Sequence, residues 1–391
     1  MMFPSIPQIM IKSGGNMLSV TKFSQRARWC VGFIVMAVTP LAFAAMDRIE
    51  TPSHLSGRAA EGLLLDIAHA GDRLVAVGDQ GRILLSDDQG VSWKQVQAPV
   101  SVLLTSVYFS DAQHGWAVGH DGVVIHTEDA GDTWLTQLNG RQLNQLQLDT
   151  YQTLVDAGGD PQAQDLPMDE LELFLEDAMV AVEEGPTQPL LDVLFVNNQL
   201  GFLLGSYGVL LKTEDAGVHW SVLSHRLPNP GRFHLNALLV EKQSLIIAGE
   251  AGVLFKSDDM GDSWIALESP YEGSFFGLLS YAGQGQALSQ VLALGLRGHL
   301  FASEDSGDSW QQIAVDSTAS LVSAASNNNE VMLVGQGGLV LTGKTLDKLT
   351  AFEPQDRRAW SAVTRVNDGW VLVGEKGIKR ISDTALGADH E

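Results

Sequence analysis

The sequence predicts an all-β protein, a seven-bladed β-propeller with a helical hairpin inserted between blades two and three. A string of the form Ser/Thr-x-Asp-x-Gly-x-x-Trp occurs five times and ends at Trp93, Trp134, Trp220, Trp264 and Trp310. A Gly-x-x-Gly motif begins 15 positions before each tryptophan and occurs twice more without the string, giving the first glycines Gly78, Gly119, Gly205, Gly249, Gly295, Gly335 and Gly374. Apart from one double gap they are 39–46 residues apart, the length of a four-stranded propeller blade.

Residues 1–44 have the pattern of a secretory signal peptide. Basic residues precede an apolar run from Trp29 to Val38, and the small-x-small sequence Ala42-Phe43-Ala44 follows it. The run is short for a membrane span. We therefore expect cleavage after residue 44 and export to the periplasm or beyond the cell. The single cysteine, Cys30, lies in this segment, so the mature protein is expected to have no disulfide.

The first unit shows how one blade is built. Short apolar runs bounded by Gly, Asp and Ser predict four strands, at Leu63–Ile67, Arg73–Val77, Arg82–Leu85 and Trp93–Val96. The Gly-x-x-Gly motif turns the second strand into the third, because glycine adopts backbone angles that other residues resist. Residues 45–140 are thus predicted to form blades one and two, and residues 187–391 blades three to seven.

The seventh unit shows only three strands before the chain ends. An incomplete last blade would leave an exposed strand edge. We expect the segment from Asp47 to Ser56 to add the missing outer strand and so to close the ring.

The double gap contains residues 141–186, which have neither motif. Met168, Leu171, Phe174, Leu175 and Ala178 recur at helical spacing. A weaker helical pattern precedes them, and a Gly- and Pro-containing break at 157–161 separates the two. Residues 142–186 contain eleven carboxylates and no Lys or Arg. We interpret this segment as an acidic helical hairpin that rises from the same face as the Gly-x-x-Gly turns.

The repeated string, called the Asp box here, is predicted to be structural. Its carboxylate accepts hydrogen bonds from nearby backbone N–H groups, and its tryptophan fills space between blades. Five copies of one catalytic carboxylate make no mechanistic sense, and the calcium-loop glutamate is missing. No metal and no cofactor are expected. The box aspartates are Asp88, Asp129, Asp215, Asp259 and Asp305.

The strings identify a known group. The Asp box is also the bacterial neuraminidase repeat, and the second unit, from Gly115-Trp116-Ala117-Val118-Gly119 through Trp134, resembles the photosystem II stability and assembly factor family. The resemblance implies a non-enzymatic propeller that is lumenal or periplasmic and binds a membrane-protein subunit during assembly. For relatives in non-photosynthetic bacteria it implies an envelope membrane complex as client, with an exporter as one example. The acidic hairpin and the absence of a basic patch depart from the photosynthetic members.

The predicted partner-binding site is the rim formed by the interiors of the Gly-x-x-Gly turns. The flanking glycines repeat while the interiors differ, as in a scaffold with a variable binding surface. The residues named for this site are Asp79, Gln80, His120, Asp121, Ser206, Tyr207, Glu250, Leu296, Arg297, Gln336, Glu375 and Lys376. We expect a protein client, a membrane protein or transporter. The net charge of −23 argues against nucleic acid and anionic membranes. The isolated protein is expected to be a monomer.

Two other functions stay open at this point. A sialidase-type glycoside hydrolase also has Asp boxes, but it needs three arginines, a tyrosine nucleophile with a glutamate, and an acid/base aspartate. Tyr207 and Glu250 lie in adjacent blades, while Arg297, Arg82 and Arg48 are the available arginines. A carbohydrate-binding propeller would present aromatic platforms, and Tyr207 is the one aromatic residue among the turn interiors.

Overall fold

The computed structural model describes residues 47–163, 166–282, 289–327, 330–352 and 357–387. Within these ranges the chain forms seven antiparallel sheets, each built from consecutive strands. The first strands of neighbouring sheets contact one another all the way round, and the first sheet contacts the seventh. The predicted seven-bladed propeller is therefore confirmed. The predicted signal peptide lies outside the described residues.

The strands of the first four blades follow the predicted order. Blade one contains β1 Leu64–Ala70, β2 Arg73–Gly78, β3 Arg82–Ser86 and β4 Lys94–Gln97. Blade two contains β5 Leu104–Phe109, β6 Gly115–Gly119, β7 Val124–Thr127 and β8 Leu135–Leu138. Blade three contains β9 Leu190–Phe195, β10 Gly201–Gly205, β11 Leu210–Thr213 and β12 Ser221–Val222. Blade four contains β13 Leu235–Glu241, β14 Ser244–Gly249, β15 Leu254–Ser257 and β16 Ile265–Ala266.

The last three blades complete the ring. Blade five contains β17 Phe275–Tyr281, β18 Gln290–Gly295, β19 Leu300–Ser303 and β20 Gln311–Ile313. Blade six contains β21 Leu321–Ser326, β22 Val331–Gly335, β23 Val340–Gly343 and β24 Thr350–Ala351. Blade seven contains β25 Trp360–Val366, β26 Gly369–Gly374 and β27 Gly377–Ser382.

The predicted closing strand is wrong for the described residues, because the seventh sheet has three strands and the segment 47–56 forms none. That segment bonds instead to the backbone just after β4: the Ser53 N–H donates to the Ala98 carbonyl (2.9 Å), and the Ser101 N–H to the Arg48 carbonyl (2.9 Å). The ring is closed by apolar packing between blades one and seven, through Leu64, Ile67, Leu74, Ala362, Val366 and Val371. Burial of these side chains replaces the hydrogen bonds of a shared blade.

The two glycines of each Gly-x-x-Gly turn have different physical roles. The second has a left-handed backbone, as at Gly81 (φ 67°), which glycine adopts without strain. The first is extended, and a Cβ on Gly78 would lie 2.1 Å from the Leu63 carbonyl oxygen. The prediction that both glycines serve backbone angles is therefore correct only for the second. The first is required by close approach to the preceding strand.

The Asp boxes form the turns between the third and fourth strands, and four of the five share one hydrogen-bond pattern, while in the box of blade three His219 Nδ1 takes the place of the second hydroxyl. In the second blade, Asp129 accepts from the Thr127 hydroxyl (2.8 Å), the Thr133 N–H (2.8 Å) and the Thr133 hydroxyl (2.6 Å). These donors hold the pKa of Asp129 below its usual value, despite partial burial. Each box tryptophan packs among residues of its own and the preceding blade. The carboxylates are occupied by the fold itself.

The insert is a helical hairpin of α1, Gly140–Ala157, and α2, Met168–Glu184, where the sequence predicts it. Asn139 caps α1, because its side chain accepts the N–H groups of Arg141 and Gln142. A short C-terminal helix, α3, spans Asp383–Gly387. The hairpin starts beside the Gly-x-x-Gly turn of blade two, where a Cβ on Gly140 would lie 2.2 Å from the Asp121 carbonyl oxygen. The insert therefore rises from the predicted face.

A buried ion pair holds the hairpin against blade three. The Asp160 carboxylate, in the connection between the helices, accepts from His225 Nε2 (2.8 Å) and Arg226 Nε (2.9 Å). The side chains of Asp160 and His225 are almost completely buried. The pKa of Asp160 is lowered, because hydrogen bonds from Gln162, His225 and Arg226 outweigh the effect of burial. This contact fixes the end of the insert that is far from its attachment points.

Candidate functional site

The Gly-x-x-Gly turns lie on one face of the propeller, called the turn face here. In six of the seven turns the two interior residues and the second glycine form a short 3₁₀ turn that leads into the third strand. The backbone geometry of these turns is nearly the same in each blade. The turns therefore place different interior side chains at equivalent positions. The interior residues with exposed side chains are Gln80, Tyr207, Ala251, Arg297, Gln336, Glu375 and Lys376.

Several predicted site residues make contacts within the protein. Asp79 pairs with Arg82, which starts β3. Asp121 pairs with Arg48 at 3.0 Å. Those two carboxylates already have cationic partners and are poorer candidates for binding a client than the exposed positions.

Three further predicted residues are partly or fully covered. Ser206 is buried, and its hydroxyl lies 3.3 Å from the Pro189 carbonyl oxygen, to which it donates. His120 and Leu296 are only half exposed. The sequence correctly locates the turns, but it does not show which interior side chain of each turn points to solvent.

Tyr207 and Glu250 are both next to His234. The Tyr207 N–H donates to His234 Nδ1 (2.9 Å), and the two rings are perpendicular with centroids 5.1 Å apart. Glu250 Oε2 lies 3.6 Å from the same Nδ1. The three arginines of the sialidase interpretation are not gathered here, because Arg48 and Arg82 are paired as described above and Arg297 belongs to blade five.

A cleft of about 260 Å³ separates the insert from blade three. Its walls include Val180 and Phe174 from α2, and Tyr207 from the turn face. Arg232, in the connection between blades three and four, places its guanidinium 4.0 Å from the Phe174 ring centroid and pairs with Asp177. The sequence indicates Tyr207 as a site residue, but the cleft itself depends on where the hairpin packs.

Sequence reasoning missed a carboxylate pair in the central channel. Asp66 in β1 and Asp192 in β9 both contact the Ser106 hydroxyl in β5, at 3.2 Å and 3.0 Å. Each also accepts a backbone N–H from the next blade, from Val107 at 2.9 Å and Leu238 at 2.8 Å. The signal in the sequence that could have indicated this pair was a carboxylate within an otherwise apolar strand. The pair ties blades one to four together.

Desolvation changes the charge state of this pair. Burial raises the pKa of Asp66 to about 6 and that of Asp192 to about 7, where the nearby Asp66 charge adds to the effect. The side chains are partly accessible only to a narrow channel of about 330 Å³. Near neutral pH each of the two carboxyl groups is therefore protonated for part of the time.

Within the residues described, no group of three or more His, Cys, Asp or Glu side chains is arranged to hold a metal ion. Nor does any helix in this part of the chain have the length and apolar character needed to cross a membrane.

The sequence matches the family described as photosynthesis system II assembly factor YCF48 over residues 56–157 and 176–274, just over half of the 391 residues. The chain belongs to the YCF48 family. Two curated relatives match a shorter stretch: the chloroplastic photosystem II stability/assembly factor HCF136 of Cyanidioschyzon merolae is 46% identical over 48 residues, and that of Guillardia theta 41% over 46 residues. The chain matches about a tenth of the length of either relative, 11% and 12%.

Solved structures extend the comparison to the whole fold. A YCF48 structure described as bound to a D1 peptide covers 85% of this chain and all of the other, with a TM-score of 0.58 at 15% identity. YCF48 from Cyanidioschyzon merolae covers 84% of this chain and 97% of its own, with a TM-score of 0.58 at 14% identity. The Cps50 (Swd1) propeller of Myceliophteria thermophila covers 82% and 95%, with a TM-score of 0.54 at 11% identity. These likenesses establish the propeller fold.

Proposed function

We propose that this protein is an exported, non-enzymatic propeller that binds a membrane-protein client on its turn face and acts in the assembly or stability of a membrane complex. The observation that carries the proposal is the contrast between the two faces. The Asp-box carboxylates are engaged in their own turns, as at Asp129. The turn face instead presents exposed side chains that vary among the blades on a nearly constant backbone. Such a surface suits protein recognition.

Family membership supports a protein client. The family is described as an assembly factor, and one structure similar in fold is described as bound to a D1 peptide. The acidic insert argues for a client other than a photosystem subunit, and we propose an envelope complex such as a transporter. The signal-peptide pattern of residues 1–44 supports a periplasmic location. The dispersed arginines support a binding function over sialidase chemistry.

The test is affinity capture from detergent-solubilised membranes of the source organism with purified mature protein as bait. A turn-face variant changes three exposed side chains together, Arg297→Glu, Gln336→Glu and Lys376→Glu. A control variant changes two exposed apolar residues in Asp boxes, Val91→Glu and Val218→Glu, which are 70% and 69% exposed. We expect wild type and control to recover the same abundant membrane protein and the turn-face variant to lose it.

Two outcomes contradict the proposal. Recovery of no membrane protein by wild type contradicts client binding, and equal recovery by the turn-face variant excludes the part of the turn face formed by blades five to seven as the client site. Release of sugar from a panel of sialosides by the purified protein overturns the non-enzymatic assignment.

A further inference from the structure

Two large residues that line the cleft have a backbone conformation that L-residues rarely adopt. Tyr207 has φ 57° and ψ 29°, and Arg232 has φ 49°. At the turn position of Tyr207 the other 3₁₀ turns carry Gln, Asp, Ala, Arg or Gly. The other five of these turns have the same left-handed backbone at this position, from φ 53° at Ala251 to 67° at Gly337, so the conformation belongs to the motif. Among these turns, blade three is the one that places an aromatic side chain there, where the conformation costs free energy. Both strained residues face the same cleft.

Apolar surface is left uncovered on both walls of this cleft. The Tyr207 side chain is held by His234 and is nevertheless 59% exposed. On the opposite wall Val180 is 50% exposed, although it lines the cleft together with the buried Phe174 and Ala178. The volume of about 260 Å³ is below the range of roughly 300–1,000 Å³ typical for small-molecule pockets. It suits a single inserted side chain better than a drug-sized ligand.

The charge around the cleft is negative. Helix α2 contains seven carboxylates and no basic residue, and Asp177 and Glu184 lie on the cleft wall. Arg232 already places a guanidinium over Phe174 beside Asp177. This internal contact shows which chemistry the site accepts, an alkyl-linked cation against an aromatic ring and a carboxylate.

Building on the function proposed above, we infer that this cleft binds an extended, cationic segment of the client. The segment inserts one large apolar side chain between Val180 and Tyr207, and it places a neighbouring Lys or Arg against Glu184, because Asp177 is already paired with Arg232. The strained Tyr207 provides a preorganised aromatic surface, whose ordering cost is met on folding rather than on binding. The insert is thus a wall of the binding site.

The inference is tested directly with fluorescein-labelled Gly/Ser peptides that carry Phe-Arg-Arg, Phe-Glu-Glu or Ser-Arg-Arg at their centre, measured by fluorescence polarisation with the mature protein. We expect saturable binding of the Phe-Arg-Arg peptide and at least about tenfold weaker binding of the other two, corresponding to the loss of either the apolar or the ionic contact. Added salt should weaken binding, because the carboxylates of the cleft wall are solvent-accessible.

Matched variants separate the cleft from the helix. Val180→Arg is compared with Leu173→Arg, which lies on α2 with 53% exposure but does not line the cleft. Tyr207→Gly removes the ring and relieves the strained backbone, so the fold should be unharmed. We expect Val180→Arg and Tyr207→Gly to lose peptide binding and Leu173→Arg to retain it, with melting temperatures within a few degrees of wild type.

Equal binding of the three peptides, no saturable binding, or equal loss in Val180→Arg and Leu173→Arg overturns the inference. Client capture from membranes that survives Val180→Arg refutes the cleft and leaves the proposed function standing. Peptide binding by a protein that recovers no membrane client refutes the proposed function instead.

Discussion

Replacing Asp192 with asparagine should destabilise the protein at acidic pH and stabilise it at mildly alkaline pH. Asp192 shares the Ser106 hydroxyl with Asp66 in the central channel. Its pKa is raised from 3.8 to about 7 by desolvation and by the charge of Asp66. Between those two values the folded state binds more protons than the unfolded state, so stability falls as pH rises. Asparagine removes this dependence.

The magnitude follows from the difference between about 7 and 3.8. At about 1.4 kcal/mol per pKa unit the ceiling is about 4 kcal/mol. Channel water reaches both carboxylates and screens them, so we take about half, about 2 kcal/mol. Asparagine cannot satisfy both Ser106 and the backbone N–H groups of Val193 and Leu238, which costs about 1 kcal/mol. The variant should therefore be about 1 kcal/mol more stable than wild type near pH 8 and about 1 kcal/mol less stable near pH 3, below the unfolded pKa, where Asp192 is protonated in both states.

The assay is urea unfolding followed by tryptophan fluorescence across this pH range for wild type, Asp192→Asn and the control Glu172→Gln. Glu172 is an exposed carboxylate on α2. Its variant should differ from wild type by a constant amount. A difference between wild type and Asp192→Asn that does not vary with pH, or that favours wild type at the alkaline end, refutes the shared, desolvated pair.

Further outcomes follow from other contacts. Asp129→Ala should lower the free energy of unfolding by about 2 kcal/mol, because three hydrogen bonds of the Asp box are lost, while peptide binding stays unchanged; a loss of binding with intact stability contradicts this. Asp160→Ala leaves buried His225 without its partner and should destabilise the hairpin by about 2–3 kcal/mol, seen as faster amide exchange in the helices. In wild type the stabilisation by the Asp160 carboxylate is present above its unfolded pKa of about 4 and is lost as pH falls through its lower folded pKa. An increase in the amide-exchange protection of the helices on acidification therefore contradicts this role of Asp160. Gly335→Ala should lower the melting temperature far more than Gly337→Ala, because a Cβ on Gly335 would lie 2.0 Å from a carbonyl oxygen, whereas a Cβ on Gly337 meets open space. Gly337 has a left-handed backbone, so its substitution should cost about 1 kcal/mol. Equal shifts in melting temperature exclude close approach as the reason for the first glycine of the turn.

The repeated motifs account for most of what was predictable. Each Asp box forms its hydrogen bonds between residues that are close in sequence. The contacts of Asp129 with Thr127 and Thr133 can therefore be predicted from the spacing of the motif. The hairpin is likewise visible, because an apolar stripe at helical spacing reports a helix wherever it packs. The prediction of a closing strand was wrong because it depended on long-range contacts. Whether residues 47–56 pair with β27 or with the backbone after β4 is decided by contacts between segments far apart in sequence.

The same limit applies to the binding site. All seven turns could be located, yet the sequence does not show that Asp79 and Asp121 are paired with arginines or that Ser206 is buried. The cleft depends on how the hairpin packs on blade three, through an apolar cluster that includes Tyr151 and Phe174 and through the contacts of Asp160 with His225 and Arg226. Asp66 and Asp192 are 126 positions apart, and the packing of blades one, two and three against one another brings both to one serine hydroxyl.

By itself the sequence determined the number of blades, the structural role of the Asp boxes and the position of the insert, because each depends on short-range periodicity and turn chemistry. The tertiary structure decided how the ring closes, which turn residues remain exposed, and where apolar and acidic surfaces meet to form a cleft. Those features depend on contacts between distant segments, and local pattern does not specify which of the possible contacts forms.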